Sequence, residues 1–313
     1  MQLSILIPAR NEIFLTRTIE DILENIEADT EIIVVLDGAW AEPPIPQHER
    51  VNIIYLPEPI GQRAATNLAC KLARGKYVMK VDAHCSFDKG FDRKMIEVMQ
   101  DDWTMVPTMR NLWAFDWKCY HCGWKKYQGP TPEKCGQCGK SDKIRRKMVW
   151  QGKERPQSNS FCFDSSPHFQ YFNEYTKREP YLTDVRTGLT ESMSIQGSCF
   201  MATKEKYLEL NLCDESLGSW GNQGIEVACK TWLSGGRVMI NHNTWYAHMF
   251  RTQGGDFGFP YNLTGKEVQT TKNKTVDLFW NHKWDKQAKP LSWLVEKFWP
   301  VKGWTEEDLN KIR

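Results

Sequence analysis

The sequence predicts an α/β protein, a mostly parallel sheet flanked by helices with a small cysteine-rich insertion. Three observations predict it. Over the first hundred residues short apolar runs alternate with amphipathic segments, the pattern of strand–helix–strand units. Polar and acidic groups gather where those runs end, and parallel sheets bind their ligands beyond the carboxyl ends of strands. Two Cys-x2-Cys pairs between Cys119 and Cys138 then interrupt the periodicity.

Leu3–Ile7 reads as the first buried strand. Asn11 is the expected cap of a helix whose apolar positions Leu15, Ile19, Ile22, Leu23 and Ile26 keep helical spacing. Glu31–Leu36, closed by Asp37 and Gly38, is the second strand and Val51–Leu56 the third. Gly61 precedes a helix running to about Arg74, and Lys76–Val81 is the fourth strand. After Pro107 the pattern breaks. Residues 113–155, rich in Lys, Cys, Gly and Trp, read as an insertion and not as a continuation of the sheet. Strand patterning resumes near Ser194–Ala202, with a helix from about Lys204, another over Gln223–Ser234 and a strand at Arg237–Ile240. Thr305-Glu-Glu-Asp308 has capping-box spacing and opens a terminal helix. The expected organisation is a first half (1–112), the insertion (113–155), a second half (156–262) and a Trp-rich extension (263–313).

At a net charge of +2, the chain as a whole is not composed as a polyanion binder. The charge is uneven, however. Between Lys118 and Arg155 eleven Lys or Arg face three acids, a local +8 that leaves the remainder at −6. Trp113, Trp117, Trp124, Tyr127 and Trp150 interleave with these cations. Such aromatics are either a stacking surface for nucleic acid or the small core of the insertion. No apolar stretch approaches the roughly 20 residues of a membrane span. Met1–Pro8 lacks a basic n-region and a cleavage site. Ten cysteines without an export signal read as thiols and metal ligands. The expectation is a cytoplasmic protein of a bacterium or virus-infected cell, with the sequon Asn262-Leu-Thr264 a chance match.

Two constellations carry chemistry. Asp82 and His84 end the fourth strand two positions apart, so both side chains fall on one side of the extended backbone. A carboxylate and an imidazole so placed suit a divalent cation able to neutralise a diphosphate. Cys119, Cys122, Cys135 and Cys138 form two knuckles suited to tetrahedral Zn²⁺, a closed structural site with no open position. His121, inside a knuckle, reads as a surface residue.

These residues resemble GT-A-fold glycosyltransferases of the family-2 type, and most specifically the catalytic domain of polypeptide N-acetylgalactosaminyltransferases, over residues 1–110 and about 190–262. Ser4-Ile-Leu-Ile-Pro-Ala-Arg-Asn-Glu12 is similar to the opening strand and nucleotide loop. Glu31-Ile-Ile-Val-Val-Leu-Asp37 resembles the strand whose last acid contacts uracil or ribose, and Gly61–Asn67 the segment under the nucleotide. Val81-Asp-Ala-His-Cys85 resembles the metal motif. Gln196–Ala202, Ser219–Glu226 and Tyr246–Arg251 resemble the glycine-rich strand near the sugar, the Trp-Gly-x-Glu-Asn segment and the strand of the third metal ligand.

The resemblance implies a UDP-sugar donor contacted by Pro8, Ala9, Arg10, Glu12, Asp37, Arg63, Ala83, Trp220 and Tyr261. It implies Mn²⁺ or Mg²⁺ on Asp82, His84 and His248, and catalytic roles around these ligands, Gln223, Glu226 and Arg251. Arg251–Tyr261 reads as a lid. Two positions depart from the family. Gln223 stands where an acid is usual, and Gly38 replaces a second acid after Asp37. Glu226, one helical turn on, either substitutes for the missing acid or forms a salt bridge on the helix face. Asp256 is a further candidate base, and without a base retention of configuration is favoured. The expected function is transfer of a hexosyl or N-acetylhexosaminyl group to a hydroxyl on nucleic acid, such as a hydroxymethylated base in viral DNA. A protein or surface glycan is the alternative acceptor. A non-catalytic zinc-ribbon nucleic-acid binder on a transferase scaffold is the alternative of a different class.

Overall fold

The computed structural model describes all residues except 220, 252–256 and 262–263. In chain order the first half builds β1 (Leu3–Ala9), α1 (Leu15–Asn25), β2 (Thr30–Asp37), β3 (Val51–Leu56), α2 (Gln62–Leu72), β4 (Tyr77–Val81), β5 (Cys85–Phe87) and α3 (Phe91–Ile96). β6 (Trp103–Cys119), β7 (Lys125–Tyr127) and β8 (Ile144–Gly152) follow, then β9 (Phe161–Phe163), β10 (Phe169–Tyr171), α4 (Glu179–Asp184) and β11 (Leu189–Glu191). The chain closes with β12 (Cys199–Thr203), α5 (Lys204–Glu209), α6 (Gln223–Leu233), β13 (Arg237–His248), α7 (Gly265–Phe279), α8 (Leu291–Lys297) and α9 (Glu306–Asn310).

The main sheet runs β11-β13-β6-β12-β4-β1-β2-β3. β4, β1, β2 and β3 are parallel, as strands separated by helices should be. β12 enters antiparallel between β4 and β6. Every residue of β1, β2 and β4 is buried, which explains their unbroken apolar runs. The fold is a mixed α/β sheet flanked by helices. Its parallel strands deliver Ala9, Asp37 and Asp82 to one edge.

Three elements differ from the sequence reading. Asn11 does not cap α1; it sits in a left-handed turn at φ 49°, and Phe14 occupies the cap position without a side-chain bond. The β13 strand continues past Ile240 to His248, with a register shift between Asn241 and Trp245. β6 is unbroken across residue 112. Its first part pairs with β13 and its second, from Leu112, with β8, so the sheet does continue into the cysteine segment. Polar residues such as Asn111, Asp116 and Lys118 between apolar ones hide that strand from a periodicity argument, because both of its faces are covered although its partners β7 and β8 are largely exposed.

The cysteine segment has a core of its own. Phe115, Trp117, Ile144 and Trp150 are buried with Phe14, Ala247, Met249 and Phe257. The Trp150 indole donates to Asp21 at 3.0 Å. Trp117 and Trp150 are therefore packing residues, whereas Tyr127 stays exposed. Of the C-terminal tryptophans, Trp280, Trp284 and Trp304 join the main core, and α9 begins with the expected Thr305/Asp308 capping box.

Burial makes stability pH-sensitive. His84, His248 and His242 are each pushed down to about 4 from 6.5, chiefly by burial. In the unfolded chain each takes a proton near 6.5, so the unfolded state binds more protons between pH 6.5 and 4. Stability is complete above that window and is lost as pH falls through it, by at most about 1.4 kcal/mol per pH unit for each histidine. The melting temperature of metal-free protein should fall across this range. His242→Gln should make the slope shallower, since Gln can keep the bonds to Thr108 and Thr190 without protonating.

Candidate functional site

Asp82 and His84 follow β4, and β13 brings His248 beside them from 164 positions away. The Nε2 atoms of His84 and His248 stand 3.1 Å apart. Asp82 Oδ2 lies 3.3 Å from the second and 3.9 Å from the first. One ligand atom from each of the three residues falls within 4.8 Å of the others. His84 Nδ1 is 3.3 Å from Glu12 Oε2, so that nitrogen donates to the carboxylate and Nε2 keeps its lone pair for the cluster. Both imidazoles are neutral at pH 7. Burial alone would raise the Asp82 carboxyl, but Lys80, His248 and His84 together hold it below the usual carboxylate range. Two neutral nitrogens facing one carboxylate oxygen, one with its tautomer fixed by an acid, make a donor set for a divalent transition-metal cation.

Beside this cluster is a cavity of about 50 Å³ lined by Pro8, Arg10, Glu12, Gln62, Ala83, Arg251 and Tyr261. Most of the residues expected around the nucleotide thus meet in one place. Three of them are engaged with the protein itself. Arg10 donates to Pro260 O at 3.0 Å and to Asp37 O at 2.9 Å. Tyr261 donates to Asp37 Oδ2 at 2.6 Å, and the amides of Ile60 and Gly61 complete the fully buried Asp37 carboxylate. A drug-sized ligand needs a pocket of about 300 Å³ or more. The strap Phe257–Tyr261 supplies one wall of this cavity through Phe259, Pro260 and Tyr261, and the cavity is smaller than that. Glu12 carries a second partner, the Arg251 guanidinium, and does not face the cavity alone. Arg251 is pushed down to about 10 by burial.

Arg63 is not where the sequence reading put it, and Glu226 takes the second of its two expected roles. Arg63 is 1 % exposed and donates to Glu226 Oε2 and to the carbonyls of Gly218 and Gly221. It ties α2 to the loop before α6 and does not reach the nucleotide cavity. Glu226 is fully buried between Arg63 and Lys230, with the Asp214 amide on its other oxygen. Its salt-bridge reading is the one the packing supports, and no oxygen is left to act as a base.

Gln223 opens α6 and lines a second, larger cleft of about 420 Å³ with Gln62, Lys80, Asp82, Gly197, Asn222 and Lys272. Gly224 allows this helix start to meet the segment between β11 and β12, because a Cβ there would overlap the Ile195 carbonyl oxygen. Trp220 and Asp256 lie outside the described residues, as do residues 252–256 of the expected lid. The sequence reading missed Lys80. Its ammonium contacts Asp82 Oδ1 and is 2.8 Å from Gly197 O, while Gln62 Nε2 reaches the same Oδ1 at 3.3 Å. A lysine two residues before Asp82 in an apolar strand was the available signal, since both side chains share one face.

The four cysteines also converge. Sγ atoms of Cys119 and Cys138 are 3.7 Å apart and those of Cys122 and Cys135 3.5 Å, with the Gln137 and Cys138 amides on Cys135 Sγ. Thiolates at about 2.3 Å around a tetrahedral Zn²⁺ are about 3.8 Å apart, so the cluster has the size for that ion. His121 is bound to Asp142 at 2.8 Å and stands outside the cluster.

Residues 4–118 match the family described as Glycosyl transferase family 2. This chain carries a glycosyltransferase family 2 domain. A Caenorhabditis elegans protein named Probable N-acetylgalactosaminyltransferase 9 is 24% identical over 66% of this chain and 30% of its own length. Polypeptide N-acetylgalactosaminyltransferase 3 of Drosophila melanogaster is 22% identical over 74% of this chain and 34% of its own. The chain spans about a third of the length of these curated relatives. A crystal structure of GalNAc-T7 with UDP, GalNAc and Mn²⁺ matches with a TM-score of 0.62 at 17% identity, covering 95% of this chain and 54% of that one. No helix among the described residues is long and apolar enough to cross a membrane.

Proposed function

We propose that this family 2 domain transfers a sugar from a UDP-sugar to a hydroxyl acceptor with a divalent cation at Asp82, His84 and His248. The observation that carries the reading is the convergence of those three ligand atoms at the rim of a cavity walled by the nucleotide-loop residues Pro8, Arg10 and Glu12. A bound Mn²⁺ supplies Lewis acidity that stabilises the departing diphosphate. Glu12 holds the His84 ring in register, and Arg251, beside it, lends positive charge on the diphosphate side once the strap has lifted. The strap excludes water from the donor when it closes again.

Gln223 sits at the cleft, and an amide cannot take a proton from the acceptor hydroxyl. Asp82 is the only carboxylate lining this cleft among the described residues, and it is committed to the cation. Both points favour retention of configuration, with the donor phosphate receiving the acceptor proton. Ten thiols favour a reducing compartment such as the cytoplasm.

The acceptor we favour is a polyanion, nucleic acid with a hydroxylated base being the expected case. Its support is the exposed basic face of the cysteine segment, where Lys125, Lys126, Arg145, Arg146 and Lys147 border Tyr127 on β7 and β8. A protein acceptor is the second reading, favoured by the polypeptide in one relative's name. Mass shifts on hydroxymethyl-pyrimidine DNA, a Ser/Thr peptide and a glycan, offered with Mn²⁺ and a panel of UDP-sugars, separate the two. DNA labelling that fades steeply as salt rises supports the first. Peptide labelling that is indifferent to unmodified DNA removes it.

We propose that the cysteine cluster holds Zn²⁺. Metal analysis should return about one zinc per chain. Cys122→Ser or Cys138→Ser should release it and red-shift the emission of Trp117 and Trp150, whose core the cluster closes. Full zinc binding by either variant, with unchanged fluorescence, would contradict the assignment.

A further inference from the structure

We infer that Lys80 is a resident cation that makes metal binding at Asp82 depend on the donor diphosphate; the inference rests on the cation site proposed above. Lys80 is 1 % exposed next to the last residue of β4, flanked in the sheet by Leu6 of β1 and Phe200 of β12. A lysine in such a place is costly unless its charge is met. Its ammonium finds two acceptors, Asp82 Oδ1 and the Gly197 carbonyl oxygen, and it lines the larger cleft beside Gln62 and Gln223.

The geometry divides the Asp82 carboxylate. Oδ1 is taken by Lys80 and Gln62, and Oδ2 faces the two imidazoles. An incoming divalent cation therefore meets a carboxylate whose charge is already neutralised, with an ammonium a few bonds away repelling it. Glu12, the other nearby acid, is occupied by Arg251 and His84. With Lys80 in place the empty site is a poor trap for a free metal ion.

A donor diphosphate changes the balance. It brings two negative charges next to Asp82, and the flexible four-carbon stem of Lys80 lets the ammonium turn from Oδ1 toward them without moving the strand. Asp82 then gives its full charge to the cation. Cation and diphosphate each strengthen the binding of the other, and Lys80 is the positioning residue through which that coupling runs.

The test is Mn²⁺ titration of the full chain with and without UDP, followed by the paramagnetic signal of free Mn²⁺. It compares wild type with Lys80→Met, Lys80→Gln and Lys80→Arg. Without UDP, Lys80→Met and Lys80→Gln should bind Mn²⁺ about tenfold more tightly than wild type, and the gain in Mn²⁺ affinity on adding UDP should shrink about tenfold. Lys80→Arg, which keeps the charge, should retain most of the coupling. Gln preserves a donor for Gly197 O, so it covers the case in which Met fails to fold. Mn²⁺ affinity that is unchanged or weaker in both neutral variants overturns the inference and leaves the metal site standing. Failure of wild type to bind Mn²⁺ at all, with or without UDP, sinks the metal site itself.

Discussion

Glu226→Ala should destabilise the protein by about 3–5 kcal/mol, the cost of removing one partner from a buried charge network. Glu226 is fully buried, with Arg63 Nε and Nη2 at 3.1 and 2.9 Å and Lys230 Nζ at 2.9 Å. Its Oε1 also accepts from the Asp214 amide at 2.8 Å. Alanine leaves two buried cations, of which Lys230 retains Asp214 at 3.6 Å and Arg63 retains only backbone carbonyls. Urea unfolding followed by far-UV circular dichroism measures the loss, and Glu226→Gln should fall between wild type and alanine because it keeps the shape and part of the bonding. The same experiment decides what Glu226 does. Stability close to wild type together with lost turnover would restore it as a catalytic acid.

His84→Ala should lower metal-dependent donor turnover by at least about a hundredfold. The ligand is lost and Glu12 is left without the ring it orients. Removing only the orienting acid, as in Glu12→Gln, should weaken metal affinity by about 10–100-fold. The ordering of the two effects is informative. His84 and His248 supply the facing Nε2 atoms, whereas Glu12 acts through His84 Nδ1. Equal losses from His84→Ala and Glu12→Gln would mean that Glu12 touches the donor directly.

The parallel half of the sheet was legible because strands buried on both faces need continuous apolar runs, and Leu3–Ile7, Glu31–Leu36 and Lys76–Val81 have them. The metal constellation was legible for a different reason. Asp82 and His84 share a strand end, and the resemblance supplied His248. The β6–β8 extension was hidden because β7 and most of β8 are exposed while polar residues of β6 are covered, and the same mixture of aromatic and basic residues made Trp117 and Trp150 look like a binding surface. Packing around Cys119, Cys135 and Ile144 could not be read from spacing. Arg63 and Glu226 show the limit most clearly. Each matched a functional segment by position, yet they are 163 residues apart and neutralise one another. Lys80 escaped notice because a lysine in an apolar strand looks like an edge residue until the partner carboxylate is placed.

The measurement that bears most directly on the central claim is release of UDP from UDP-sugars by the purified chain, with and without Mn²⁺, in wild type, Asp82→Ala and His248→Ala. The structure leads to Mn²⁺-dependent release from at least one UDP-sugar by wild type, abolished by EDTA and by both substitutions, with the melting temperature of His248→Ala staying near wild type and that of Asp82→Ala falling because Lys80 loses its counter-charge. Release that survives EDTA and both substitutions in folded protein would contradict it.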